Sequence, residues 1–162
     1  MRLEQIGTIR TPFAGPVGTP IQPAFAEEAP GTVEVFAPFT AGLADLEGFE
    51  RIWLIYWFHK AGPVQLRVRP FMDEGERGLF ATRAPCRPNP IGISCVRLLA
   101  IEHNILRVAD VDMLDGTPLL DIKPYAPCFD CFGVQRIGWL AQADRGQTTA
   151  DDRFSSHKGE KP

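Results

Sequence analysis

Proline and glycine decide most of what this chain can become. Fifteen of each are spread through its 162 residues. Proline fixes φ and removes a backbone donor, and both residues punctuate regular structure, so few helices of ordinary length fit between them. The pieces that remain read mainly as strands. Residues 3–10 form a first one. Residues 11–30, dense in proline and glycine, are expected to be an irregular extended loop, and a loop that long in a small domain usually carries function. Residues 32–37 alternate apolar and polar, as a half-buried strand does. Residues 41–49 are the best place for a short helix, with Leu43, Leu46 and Phe49 on one face.

The run RIWLIYWF at 51–58 is rich in β-branched and aromatic side chains and predicts a central strand buried on both faces. Val64, Leu66 and Val68 then alternate with Gln65, Arg67 and Arg69, which gives a strand with one basic face. Residues 78–82 make another short strand. Residues 91–102 and 105–111 read as a hairpin turning at His103-Asn104. Residues 118–122 and 134–140 complete the set. From Ala143 the chain is polar and without pattern, so one domain over 1–142 and a disordered tail over 143–162 are expected. Strands that follow strands predict an all-β or β-dominated barrel with few short helices. No GxGxxG follows a strand, so a Rossmann-type nucleotide site is excluded.

Hydrophobic content of 44% and 23% charged residues fit a globular chain able to bury a core. The longest apolar run, 52–58, is far short of a membrane helix. MRLEQIGTIR carries charges where a signal peptide is apolar, so a cytoplasmic location is expected. Cys128 and Cys131 have the spacing of a zinc half-site, but no second half completes it. Ordinary reduced thiols and no metal are expected. The net charge of −3 gives no global pull toward nucleic acid, yet its distribution is uneven. Residues 51–107 carry nine basic and four acidic side chains, which makes the middle third a candidate anion-binding face.

Three stretches carry chemistry. In GLFATRAPCRPNPIGIS (78–94), three prolines and two glycines stiffen the backbone around Arg83 and Arg87. Arg87 and Asn89 each precede a proline and are held extended. Rigid loops that aim Arg and Asn suit an anionic or planar polar ligand. In DMLDGTPLLDIKPY (112–125), Asp115-Gly116 marks a turn. Asp121, Lys123 and Tyr125 then alternate along an extended segment, a carboxylate, an ammonium and a phenol that could move a proton. In WFHK, His59 and Lys60 stand at the end of the most hydrophobic strand, where scaffolds present polar groups to ligands.

Taken together, IGTIRTPF, WFHK, ATR-x-P-x-RPNPIG and DGTP-x-x-DIKPY, in this order and spacing, resemble the TrmO-like (YaeB/TsaA-like) family of S-adenosylmethionine-dependent tRNA methyltransferases. The likeness runs from residue 5 to about residue 127. It implies a barrel of mainly antiparallel strands, a homodimer, and S-adenosylmethionine bound outside any Rossmann motif. Carried over position by position, it implies cofactor contacts at Pro20, Ile21, Gln22, His59, Lys60, Arg83, Ile93, Leu114, Asp115, Gly116 and Thr117. Lys60 or Arg83 would meet the cofactor's carboxylate, Asp115 its ribose, and Ile21 and Ile93 its adenine. The implied acceptor is N6 of threonylcarbamoyladenosine beside the tRNA anticodon, with Asp121 and Tyr125 as candidate proton acceptors. Arg67, Arg69, Arg87, Asn89 and Lys123 are candidate RNA contacts. Two features depart from the family: Pro-Ile-Gln stands where longer members have Pro-Arg-Gln, and a short polar tail stands where they have a C-terminal domain. The alternatives are transfer to another substrate, or a SAM- or RNA-binding module without transfer.

Overall fold

A computed structural model describes residues 2–156. Its strands are β1 (Gly7–Arg10), β2 (Pro30–Val35), β3 (Arg51–Trp57), β4 (Arg67–Val68), β5 (Arg77–Gly78), β6 (Ile91–Glu102), β7 (Ile105–Ala109) and β8 (Thr117–Pro124). Six of them close a barrel in the order β1-β2-β7-β6-β3-β8, every pair antiparallel. The short β4–β5 pair lies outside it. The all-β, antiparallel expectation therefore holds.

Alternation along each strand fills the barrel. On β3, Ile52, Leu54 and Tyr56 point inward and are buried, while Trp53, Ile55 and Trp57 are only half-buried on the outer face. The strand is thus not buried on both faces, because closure gives every strand one inside and one outside. Register places Leu54 opposite Ser94 on β6 and Ile122 on β8. Ile9, Val33, Ile52, Leu54, Val96, Leu106 and Leu119 complete an apolar interior, each worth roughly 1.5–3 kcal/mol relative to exposure. The β6–β7 hairpin turns where expected, with His103 at φ +59.

Four expected elements form differently. The strand expected over 78–82 is cut short: Gly78 ends β5 and Leu79–Ala81 form a 3-10 turn. Residues 41–49 make no α-helix; two 3-10 segments, Ala37–Leu43 and Leu46–Gly48, flank Asp45 at φ +65, a left-handed conformation that a helix cannot contain. The strand expected over 64–69 reduces to Arg67–Val68, with Val64 and Leu66 exposed. Residues 134–140 form no strand; a 3-10 segment at Gly138–Gln142 takes up their end.

The largest departure is at the C-terminal end. Of the tail expected to be disordered, 157–162 lie outside the described residues, but 148–156 are docked. Ile21 N–H donates to Thr148 O at 3.0 Å, Ala150 N–H to Thr19 O at 2.7 Å, and Gly62 N–H to Phe154 O at 2.9 Å. Phe154 is 7% exposed and anchors a second, smaller core with Val68, Leu79, Ala84 and Cys86. Phe71 meets its ring edge-on at 5.1 Å. One aromatic in a polar run leaves no periodic signal, which is why the sequence reads as tail.

Candidate functional site

The two ends of the barrel are built differently. At one end β1, β3 and β7 finish and β2, β6 and β8 begin, and the longest loops gather there. They enclose a cavity of about 780 Å³, within the range that holds cofactors and drug-sized ligands. Segments 16–22, 58–61, 70–72, 79–87, 112–117 and 150–155 all contribute to its wall.

Of the eleven residues expected to touch a cofactor, Pro20, Ile21, Gln22, His59, Lys60, Arg83, Ile93, Leu114 and Thr117 line this cavity. Two of them meet across 61 residues of sequence: an Arg83 guanidinium N–H donates to Gln22 Oε1 at 2.6 Å. Lys60 Nζ donates to Ala14 O at 2.9 Å, tying the same loop from the other side. Thr117 Oγ1 donates to Leu114 O at 2.7 Å and closes the LDGT turn, with His59 Nδ1 3.4 Å from the same hydroxyl. Burial, and then the neighbouring Lys60 charge, push the His59 imidazole below its ordinary pKa.

Asp115 and Gly116 do not reach the cavity wall. Gly116 sits at φ +74, as the turn requires of a residue without Cβ. Asp115 faces away: Oδ1 accepts the Thr11 N–H at 3.1 Å and Oδ2 lies 3.7 Å from Arg10. It pins β1 to the turn, so the ribose contact expected of it has no support. Two other carboxylates do line the cavity, Asp151 near the C-terminal end and Asp112, which follows β7 at the barrel mouth. Ser94 Oγ donates to Asp112 Oδ1 at 2.5 Å, and Tyr56 Oη lies 3.0 Å from the same Ser94 oxygen. With the Ser94 proton committed to Asp112, Tyr56 is the donor. Burial raises the Asp112 carboxyl to about 7. Burial and then the Asp112 charge hold the Tyr56 phenol well above its usual value. Gly92 makes this possible, since a Cβ there would run into the Tyr56 and Phe58 rings.

The expected proton acceptors are elsewhere. Asp121 and Lys123 pair with Ile55 and Trp53 on the outer face and bridge each other at 2.8 Å. Tyr125 packs edge-on against Trp53 at 5.8 Å. Asp121 borders a separate cavity at the opposite end, among residues 38–49. Asp121 and Tyr125 do group with Lys123, but away from the main cavity. The basic middle third is likewise less free than its count. Arg67 pairs with Glu76, Arg77 with Asp73, Arg107 with Glu102, and Arg51 and Arg97 share Asp110. Arg87 lines the cavity, but its guanidinium N–H groups point to the carbonyls of Leu79, Thr82 and Ala84, stapling the loop. Asn89 is exposed, and its carbonyl accepts the Ile91 N–H. Arg69 is exposed, with its own carbonyl taken by Arg153.

Three parts of the site escaped the sequence reading. Ser94 and Asp112 lie inside the stretches singled out, and Tyr56 just before WFHK, but none was chosen. The strand period could have found the first two, polar positions on otherwise apolar inward stripes. The strap at 148–155 and Trp139, whose indole N–H donates to Ala81 O at 2.7 Å, gave no signal. Cys95, Cys128 and Cys131 form no disulfide, and no acid, His and Cys cluster fit for a metal occurs among the described residues.

These features define a small closed β-barrel whose loops, rather than a glycine-rich Rossmann turn, form one cofactor-sized site. The chain belongs to the family of the tRNA-methyltransferase O N-terminal domain, whose model matches residues 8–131. It is 58% identical over 135 residues to a probable S-adenosyl-L-methionine-binding protein of Pyrococcus abyssi, covering 83% of this chain and 73% of that one. To the tRNA (adenine(37)-N6)-methyltransferase of Escherichia coli it is 38% identical over 136 residues, covering 78% and 58%. A solved TrmO structure superposes with a TM-score of 0.72 at 43% identity, covering 84% of this chain and 62% of that one. The chain thus spans about three-fifths of these last two proteins.

Proposed function

We propose that this chain is an S-adenosylmethionine-dependent tRNA methyltransferase that methylates N6 of threonylcarbamoyladenosine beside the anticodon. The observation that carries the reading is the convergence of nine separately placed cofactor candidates on one cavity wall. The tRNA (adenine(37)-N6)-methyltransferase of Escherichia coli and the probable S-adenosyl-L-methionine-binding protein of Pyrococcus abyssi support the same chemistry.

The residues present fit the cofactor. Arg83, braced by Gln22, and Lys60 supply cations for its carboxylate. Ile21 and Ile93 offer apolar surface for its adenine, and Leu114 and Thr117 present the LDGT turn beside it. The cofactor supplies an electrophilic methyl group. The protein's part is to orient it, exclude water and hold the acceptor base in line. Exposed Arg69 and Asn89 are the candidate RNA contacts with fewest internal ties. A tRNA substrate implies work in the cytoplasm. The half-buried outer row of Trp53, Ile55 and Trp57, with exposed Leu99, supports a homodimer through this face, checked by its mass in light scattering.

The test is methyl incorporation from labelled S-adenosylmethionine into tRNA carrying threonylcarbamoyladenosine. Incorporation at that nucleoside, located by mass spectrometry, is expected. A protein that binds the cofactor but leaves this tRNA unmethylated refutes the substrate and favours a binding module.

A further inference from the structure

At the floor of the cavity, Tyr56, Ser94 and Asp112 form one line of hydrogen bonds that structure alone does not require. Tyr56 and Ser94 are 3% and 1% exposed inside an otherwise apolar barrel. Burying a phenol and a hydroxyl there costs free energy unless each is satisfied. The line runs from the interior to Asp112, whose carboxyl borders the cavity. Gly92 keeps room for the Tyr56 ring. Ser94, itself held by Tyr56, thus fixes the orientation of one carboxylate at the wall where the ligand site lies.

We propose that Asp112 is the general base of the reaction, receiving the proton of the acceptor nitrogen, with Ser94 and Tyr56 as positioning residues. This rests on the methyl-transfer reading above. The acceptor N–H sits between a purine and a carbonyl, so its lone pair is delocalised and its proton must leave as the new bond forms. The nitrogen lone pair forms the N–C bond while the S–C pair stays on sulfur. The N–H proton passes to an Asp112 oxygen, and the N–H pair remains on nitrogen. Asp112 then returns its proton to solvent. An ordinary carboxylate is a poor base at neutral pH, whereas burial gives this one a proton affinity matched to the task. Asp121 and Tyr125 cannot serve within this chain's cavity, since neither borders it. The charged or titratable groups facing Asp112 are Tyr56 from β3 and Arg83 from the loop before β6. His59, Lys60, Arg87 and Asp151 share the cavity.

The experiment compares wild-type, Asp112→Asn, Ser94→Ala and His59→Gln protein in single-turnover transfer from pH 5 to 9, in cofactor affinity, and in carboxyl NMR titrations without cofactor. Asp112→Asn should slow transfer by about 100-fold or more, with cofactor affinity within about threefold of wild type. The acidic limb of the rate profile should disappear with it, and so should one carboxyl titration in the unloaded protein. Ser94→Ala removes a hydrogen bond to the ionised form, so limb and titration should both move to higher pH. Full activity of a folded Asp112→Asn protein overturns the assignment. A limb lost only in His59→Gln moves the role to His59. Lost cofactor affinity at an unchanged maximal rate makes Asp112 a cofactor ligand instead. Wild-type protein that transfers no methyl group to this tRNA overturns the functional reading and the base together.

Discussion

The barrel and the loop layer that roofs it hold together in different ways. In the barrel, every strand buries alternate side chains against two hydrogen-bonded neighbours, and Leu54 meets Ser94 and Ile122 across both. The loop layer has a handful of buried side chains around Phe154. Its remaining order comes from single hydrogen bonds spanning long stretches of sequence, such as Arg83 to Gln22. The barrel therefore specifies itself through repetition, while the layer that forms the site depends on a few individual residues.

The largest effects should fall on that contrast. Leu54→Ala should cost about 2–5 kcal/mol and lower the midpoint of the whole molecule in denaturant titration. Phe154→Ala should cost about 3 kcal/mol, the low end for such a truncation because its core is small, and the loss should be local. Hydrogen exchange would speed up in 58–87 and 148–155 while strand amides stay protected. Uniform acceleration across the barrel would erase the distinction.

Asp112 sharpens it next, because it stands where the two regions meet. Its carboxyl is raised to about 7 in the fold, against roughly 3.9 in the unfolded chain. Between those values the native state keeps a proton that the unfolded state has lost, so Asp112 stabilises the native state less as pH rises through this window. Asp112→Asn has no proton to lose and keeps an acceptor for Ser94. It should therefore be more stable than wild type at pH 8, by about 2–4 kcal/mol, and equal to it near pH 4. Thermal melts across pH 4–8 check the sign; no change in the gap with pH contradicts it.

The smallest effect is expected at the opposite end of the barrel. The Asp121–Lys123 pair is exposed, with side chains 44% and 60% accessible. Asp121→Asn should change stability by less than about 1 kcal/mol and leave cofactor affinity untouched.

What the sequence disclosed follows the same division. The β-branched and aromatic run at 51–58 announced β3, and the His103-Asn104 turn announced the β6–β7 hairpin, both nearly to the residue. The RPNPIG and DGTP stretches gave away the cavity, since their constrained backbones are legible in composition. Asp115 and Asp121 misled for one reason: sequence marks which residues share a segment, not which side of a turn or barrel wall they face. Asp112, three residues before Asp115, is the carboxylate of that segment that reaches the cavity. Phe154 was hidden because a lone anchor has no period.

The central claim is that the cavity at this end of the barrel takes S-adenosylmethionine, and calorimetric titration tests it most directly. Wild-type protein should bind one cofactor per chain. Arg83→Ala loses a charge-assisted contact and should bind more weakly by about 1.5–3 kcal/mol, roughly 10- to 150-fold, with the barrel still folded in the absence of ligand. No binding heat from wild-type protein up to millimolar cofactor, or an Arg83→Ala titration superimposable on wild type, would contradict the account.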